Sequence, residues 1–148
     1  MLGVLRRSDA GARRTPQPSA SDIGGLVLKA QSTTDVVSAS LQGLETVQPT
    51  PGYVAYRVVQ EALTNARRHA PGAPVDVTAH GDAAGGIRVL VSNRVPEPTA
   101  AVPGRGLTGM AERVAAVGGE LETGVRAGEF VVEARLPAVP RDDSRAPS

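Results

Sequence analysis

Apolar positions recur along this chain with two different periods, and each period predicts a different element. Between 53 and 70 the apolar residues Ala55, Val58, Val59, Ala62, Leu63 and Ala66 form a broad stripe at helical spacing. Pro71-Gly72-Ala73-Pro74 stops that helix, and Gln48-Pro49-Thr50-Pro51-Gly52 reads as a break before it. Ile23, Leu26, Val27 and Ala30 share one face of a shorter helix that Ser21 or Asp22 can cap. Leu107, Met110, Ala111, Val114 and Val117 mark a third, ended by Gly118-Gly119. Elsewhere the period is two. Strands are expected over 35–41, 75–80 and 87–91, and a closing hairpin over 120–123 and 129–136. The turn at 81–86 contains three glycines and joins two of the strands as a hairpin. Helices combined with mostly antiparallel strands predict a two-layer α/β sandwich, an α+β fold with helices on one face of a mixed sheet.

Residues 93–106 stand apart: three prolines and two glycines predict a loop of about 14 residues, long enough to be functional. Residues 1–20, rich in Arg, Ser, Gly and Pro, read as a linker in which Leu2, Val4 and Leu5 could close an earlier helix. Residues 139–148 read as a polar tail, which leaves 21–138 as the domain.

Composition narrows the chemistry. The 148 residues suffice for one domain with a real core. A net charge of +1 predicts neither nucleic-acid nor membrane binding, and Lys29 is the only lysine. No cysteine is present, and His69 and His80 are the only histidines, so disulfide frameworks and thiolate or histidine metal cages are not expected. No apolar run approaches the roughly 20 residues of a membrane span, and the default expectation is a soluble cytoplasmic protein. Tyr53, Tyr56 and Phe130 are the only phenyl-type side chains, so the core must be aliphatic.

Three groups of residues could carry chemistry. Glu61 and Asn65 are one helical turn apart, with Arg68 and His69 one turn further, so all four line one helix edge. A carboxylate and an amide at that spacing suit an octahedral Mg²⁺ with its waters, or an activated water; an ordinary solvated face would look the same. Gly104-Arg105-Gly106-Leu107-Thr108-Gly109-Met110 opens a helix after the long loop. There glycines let backbone N–H groups approach an anion, although a flexible loop before a plain helix start also fits. Asn93 ends a strand, where it could offer its amide to a base edge or simply form a turn.

The order of these groups resembles a known family. Tyr56-Arg57-Val58-Val59-Gln60-Glu61-Ala62-Leu63-Thr64-Asn65-Ala66-Arg67-Arg68-His69-Ala70 resembles the N box of sensor histidine kinases of the nitrate-sensor type. The segment from Gly104 through Gly-Leu-Thr-Gly-Met-Ala-Glu-Arg to Gly119 is similar to that family's second glycine box, and 130–137 to its closing strand ending in Leu-Pro. The resemblance implies the fold of gyrase-type and Hsp90-type ATPases, with ATP between the N-box helix and a lid at 95–103. It implies that Asn65 holds Mg²⁺ between the phosphates, and that Glu61 polarises water or assists phosphotransfer. It places Arg68, His69, Gly104, Arg105, Gly106, Leu107 and Gly109 near the phosphates. The implied partners are the dimerisation domain that carries an acceptor histidine, in trans, and indirectly a response regulator.

Two departures qualify it. The family's first glycine box, Asp-x-Gly-x-Gly, aligns with Asn93-Arg94-Val95-Pro96-Glu97. Asn93 can accept a bond from the adenine amino group but carries no charge, which implies weaker ATP binding. Neither His69 nor His80 sits where an acceptor would, so phosphoryl transfer is expected only to a partner, and a chain without dimerisation helices is expected to be monomeric. A non-catalytic nucleotide-binding module and an anti-sigma-factor-type serine kinase are the alternatives.

Overall fold

The computed structural model describes residues 17–33, 36–95 and 105–139, without the side chains of Arg105 and Gly106. Five strands form one sheet: β1 (Val37–Gln42), β2 (Val75–Gly81), β3 (Ile87–Arg94), β4 (Glu120–Arg126) and β5 (Glu129–Leu136), in the order β1-β2-β3-β5-β4. β1 and β2 are parallel; the other pairs are antiparallel, so the sheet is mixed. Three helices, α1 (Ile23–Gln31), α2 (Pro49–His69) and α3 (Arg105–Ala116), complete the α+β sandwich that the two periodicities predict. The parallel pair needs a crossover, and α2 supplies it.

The core forms where period-two and period-3.6 faces meet. Val77, Ala79, Val89, Val91, Val132 and Ala134 point from the sheet into a layer with Val54, Ala55, Val58, Val59 and Ala62 of α2. Ile23 and Val27 of α1 and Leu107, Met110 and Val114 of α3 close its flanks. Burying each valine, leucine, isoleucine or methionine of this set contributes about 1.5–3 kcal/mol. The opposite sheet face carries Ser38, Ser40, Asp76, Thr78, Arg88 and Glu122, as expected of a sheet solvated on one side.

α2 begins at Pro49, four residues before the helix expected from periodicity, so 48–52 is not a break. Its prolines lie in the first turn, where backbone N–H groups have no intrahelical acceptor and a missing donor costs nothing. Before α1, a 3-10 turn (Ala20–Asp22) is held by Asp22, which accepts the Ser19 N–H at 2.7 Å. β3 runs to Arg94 and β4 to Arg126, both beyond the predicted strand ends. The remnant helix at 1–7, the lid at 95–103 beyond Val95, the glycine Gly104 and the tail beyond Val139 lie outside the described residues. No described helix is long and apolar enough to cross a membrane.

Candidate functional site

The register brings Asn93, the last turn of α2 and the start of α3 toward one end of the sandwich. Asn93 pairs with Val75 at the start of β2 and with Phe130 at the start of β5. The last turn of α2, Arg67 to His69, enters this end through the short link 70–74 to Val75. α3 leaves the same end. Its far terminus is fixed by Gly119, where an added Cβ would lie 2.6 Å from the Arg135 carbonyl oxygen, at the opposite end of β5. Its start at Arg105 must therefore point toward the Asn93 end.

Asn93 is the polar member of an apolar set. Ile87, Val89, Val91 and Asn93 alternate inward along β3, and Asn93 is only 5% exposed. The turn-former reading is thus overturned: Asn93 is a strand residue whose amide enters the layer beneath the helices. Its Nδ2 donates to the Arg94 carbonyl at 3.4 Å, and its Oδ1 accepts no bond among the described residues.

On α2, Glu61 and Asn65 are half-buried, while Arg68 and His69 are exposed in the last turn. Cations there also favour the helix C-terminus, so the structure gives Arg68 and His69 a role that needs no ligand. Among the described residues neither Glu61 nor Asn65 has a side-chain hydrogen-bond or ion-pair partner. That contrasts with Gln60 in the same helix, whose Oε1 accepts from Arg57 at 3.0 Å. Leu107 is buried in the core and so faces the protein. Gly109 is exposed, and a Cβ there would meet nothing within 4 Å, so protein packing does not demand glycine. Arg105 and Gly106 stand in the first turn of α3 rather than in the loop before it.

No described cluster of His, Asp and Glu could by itself hold a metal. A concavity lined by His80, Asp82, Arg88, Glu120 and Arg135 lies at the other end of the sheet and contains none of the predicted site residues. The loop that would wall the Asn93 end, 96–104, lies outside the described residues.

One charged residue escaped the sequence reading. Glu133 is 5% exposed on the face without helices, where Arg88 donates to its Oε2 at 2.6 Å and Arg135 lies 3.5 Å away. The hydrogen bond from Arg88 holds its carboxyl below the usual glutamate range, although burial pushes the other way. Its signal was an arginine two residues on along the same strand, with another directly across it.

No family model matches the chain, and no curated protein does. Solved structures do. The histidine kinase domain of the blue-light activated histidine kinase from Erythrobacter litoralis EL346 matches with a TM-score of 0.61 and 17% identity, over 82% of this chain and 65% of that one. The catalytic domain of the histidine kinase ThkA, in a nucleotide-free form, matches at 0.60 and 16%, over 82% of this chain and 92% of that one. The Acinetobacter baumannii histidine kinase AdeS matches at 0.63 and 12%, over 83% and 66%. The chain spans less than two thirds of the first of these, and 42% of the longer Erythrobacter kinase. The chain has the fold of histidine kinase catalytic domains.

Proposed function

We propose that this chain binds ATP with Mg²⁺ and serves as the catalytic domain of a two-component sensor histidine kinase. The observation that carries this reading is the pair Glu61 and Asn65, half-buried one turn apart and without protein partners among the described residues. Polar side chains so placed are normally satisfied by the protein, and an unmet pair at a fold's nucleotide end fits an external ligand. The donor set suits Mg²⁺–triphosphate. Mg²⁺ takes one or two protein oxygens and fills its octahedron with waters and phosphates, so no acidic cage is needed.

ATP supplies the transferable phosphoryl group and Mg²⁺ offsets its charge. Asn65 offers its amide oxygen to the ion, and Glu61 orients or deprotonates the attacking group from the next turn. Arg68 and His69 add positive charge beside the phosphates. The first turn of α3, with Arg105 and Gly106 after Gly104, presents free backbone N–H groups to them, and Gly109, one turn on, leaves the helix surface open beside them. Asn93 accepts from the base. The acceptor is a histidine on a dimerisation domain, and a response regulator receives the group afterwards, which places the chain in the cytoplasm.

A second reading is a nucleotide-binding module without transfer. It is favoured by Asn93-Arg94-Val95, which stands where the resemblance expects an aspartate and a glycine. Incubation with γ-labelled ATP and a cognate dimerisation domain separates the two. Label on the acceptor histidine supports the kinase. Retained ATP binding with no label on the acceptor would leave the module.

A further inference from the structure

An edge strand presents a row of unpaired N–H and C=O groups, and soluble proteins usually guard it with charge. The two edges of this sheet differ. β4 carries Glu120, Glu122 and Arg126, with an ion pair between the last two at 3.0 Å. β1 reads Val-Ser-Ala-Ser-Leu-Gln and has no charge at all. The Val36 carbonyl accepts from the Val75 N–H at 2.8 Å and so faces β2. Backbone groups alternate along a strand, so those of Val37, Ala39 and Leu41 face outward. Gln31 Nε2 donates to the Val37 carbonyl at 2.9 Å; among the described residues nothing covers Ala39 or Leu41.

α1 runs along this edge. A Cβ on Gly24 would lie 3.7 Å from Leu41 Cδ1, and Gln31 reaches Val37. Leu28 is one turn from each, which sets it level with Ala39, and it is 68% exposed, the most of any large apolar side chain described.

We propose that β1 pairs antiparallel with β1 of a second copy, about a two-fold axis through Ala39. This register sets Ala39 opposite its own copy as a hydrogen-bonded pair, Ser38 opposite Ser40, and Val37 opposite Leu41. The Val37 carbonyl accepts twice, from Gln31 and across the interface. Each opposed pair from 37 to 41 is alike in polarity, Gln42 meets Val36 beyond them, and no charge meets another within the strand. Leu28 meets its copy across the axis on the helix side. A strand that complements itself in this way suits an isologous contact. The proposal does not rest on nucleotide binding, and it replaces the monomer expected from the sequence.

The contact is small, so a dissociation constant on the order of 100 µM is expected. Sedimentation velocity on the full chain should show the 15.2 kDa species giving way to one of twice that mass as concentration rises. Leu28→Glu sets two carboxylates at the axis and should weaken association at least about tenfold. Ala39→Pro removes the outward N–H donor and should do the same. Should the proline variant fail to fold, Leu28→Glu alone decides, since Leu28 is exposed. A chain that stays monomeric throughout overturns the proposal and leaves the edge to some other strand. So does a dimer that survives Leu28→Glu with unchanged circular dichroism.

Discussion

At the end of the sandwich where β1 and β2 stop, the chain's own atoms account for its sequence. A Cβ on Gly81 would overlap the Gly43 carbonyl oxygen and lie 2.6 Å from Val47 Cγ2, and Gly43 itself has φ +66°. Thr46 donates to the carbonyls of Gly43 and Asp82 at 3.0 and 3.2 Å, and Asp82 Oδ1 accepts the N–H groups of Ala84 and Gly86. The Asn93 end is the reverse. Glu61 and Asn65 have no partners among the described residues, and Gly109 faces open space. Backbone conformation requires glycine at this end too, at Gly72 and Gly128 with φ +81° and +80°, but Glu61, Asn65 and Gly109 answer to no described contact. Under the proposed function, that is the end at which the nucleotide binds.

That contrast predicts opposite phenotypes. Gly81→Ala should lower stability by about 3 kcal/mol, because backbone must move to admit the methyl, as read by chemical denaturation. It should leave nucleotide affinity of the folded protein unchanged. Asn65→Ala should do the converse. With no partner to lose, its stability should stay within about 0.5 kcal/mol of the parent. Its Mg²⁺-dependent ATP affinity should fall by roughly 1.5–3 kcal/mol, about ten- to a hundredfold, by calorimetric titration. Unchanged affinity would remove Asn65 from the site.

The sheet, the three helices and the membership of the core were legible because apolar period alone determines which face is inward. The errors fell where local chemistry overrides period. Pro49 and Pro51 looked like a stop and are a start, because first-turn donors have no partner to lose. Asn93 heads the expected loop, with a base contact and a turn both open, yet its phase with Ile87, Val89 and Val91 already places it inside the layer. Which residues share an end of the molecule was legible only through the family resemblance, not through periodicity. It depends on strand order, and no local pattern states that β5 lies between β3 and β4.

Glu133 tests the contrast on the sheet's open face, where a carboxylate is satisfied by protein and needs no ligand. Its folded pKa is depressed, so its contribution is present above the unfolded value and is lost as pH falls through the folded one. Arg88 is half exposed, and solvent screening limits the contribution to about 1 kcal/mol. Glu133→Gln should therefore be less stable than the parent by about that amount at neutral pH. Denaturation midpoints of the two proteins should converge once the pH has fallen below the depressed folded value. A gap that persists in acid would mean the carboxylate's charge contributes nothing.

The smallest effect expected is the most discriminating, because one substitution should act in opposite directions on stability and binding. Asn93→Asp keeps the shape and adds a charge at a site only 5% exposed. Without ligand, a charge at so buried a position costs desolvation, so the free protein should lose stability, by about 1 kcal/mol. With ATP, the carboxylate accepts from the base amino group more strongly than an amide does, so affinity should rise by up to about 1 kcal/mol, roughly fivefold. Thermal shift with and without nucleotide reads both terms: a lower starting midpoint and a larger ligand-induced rise. A residue that merely filled the layer would show the first change and not the second, and Asn93 would then belong with Gly81 as part of the frame.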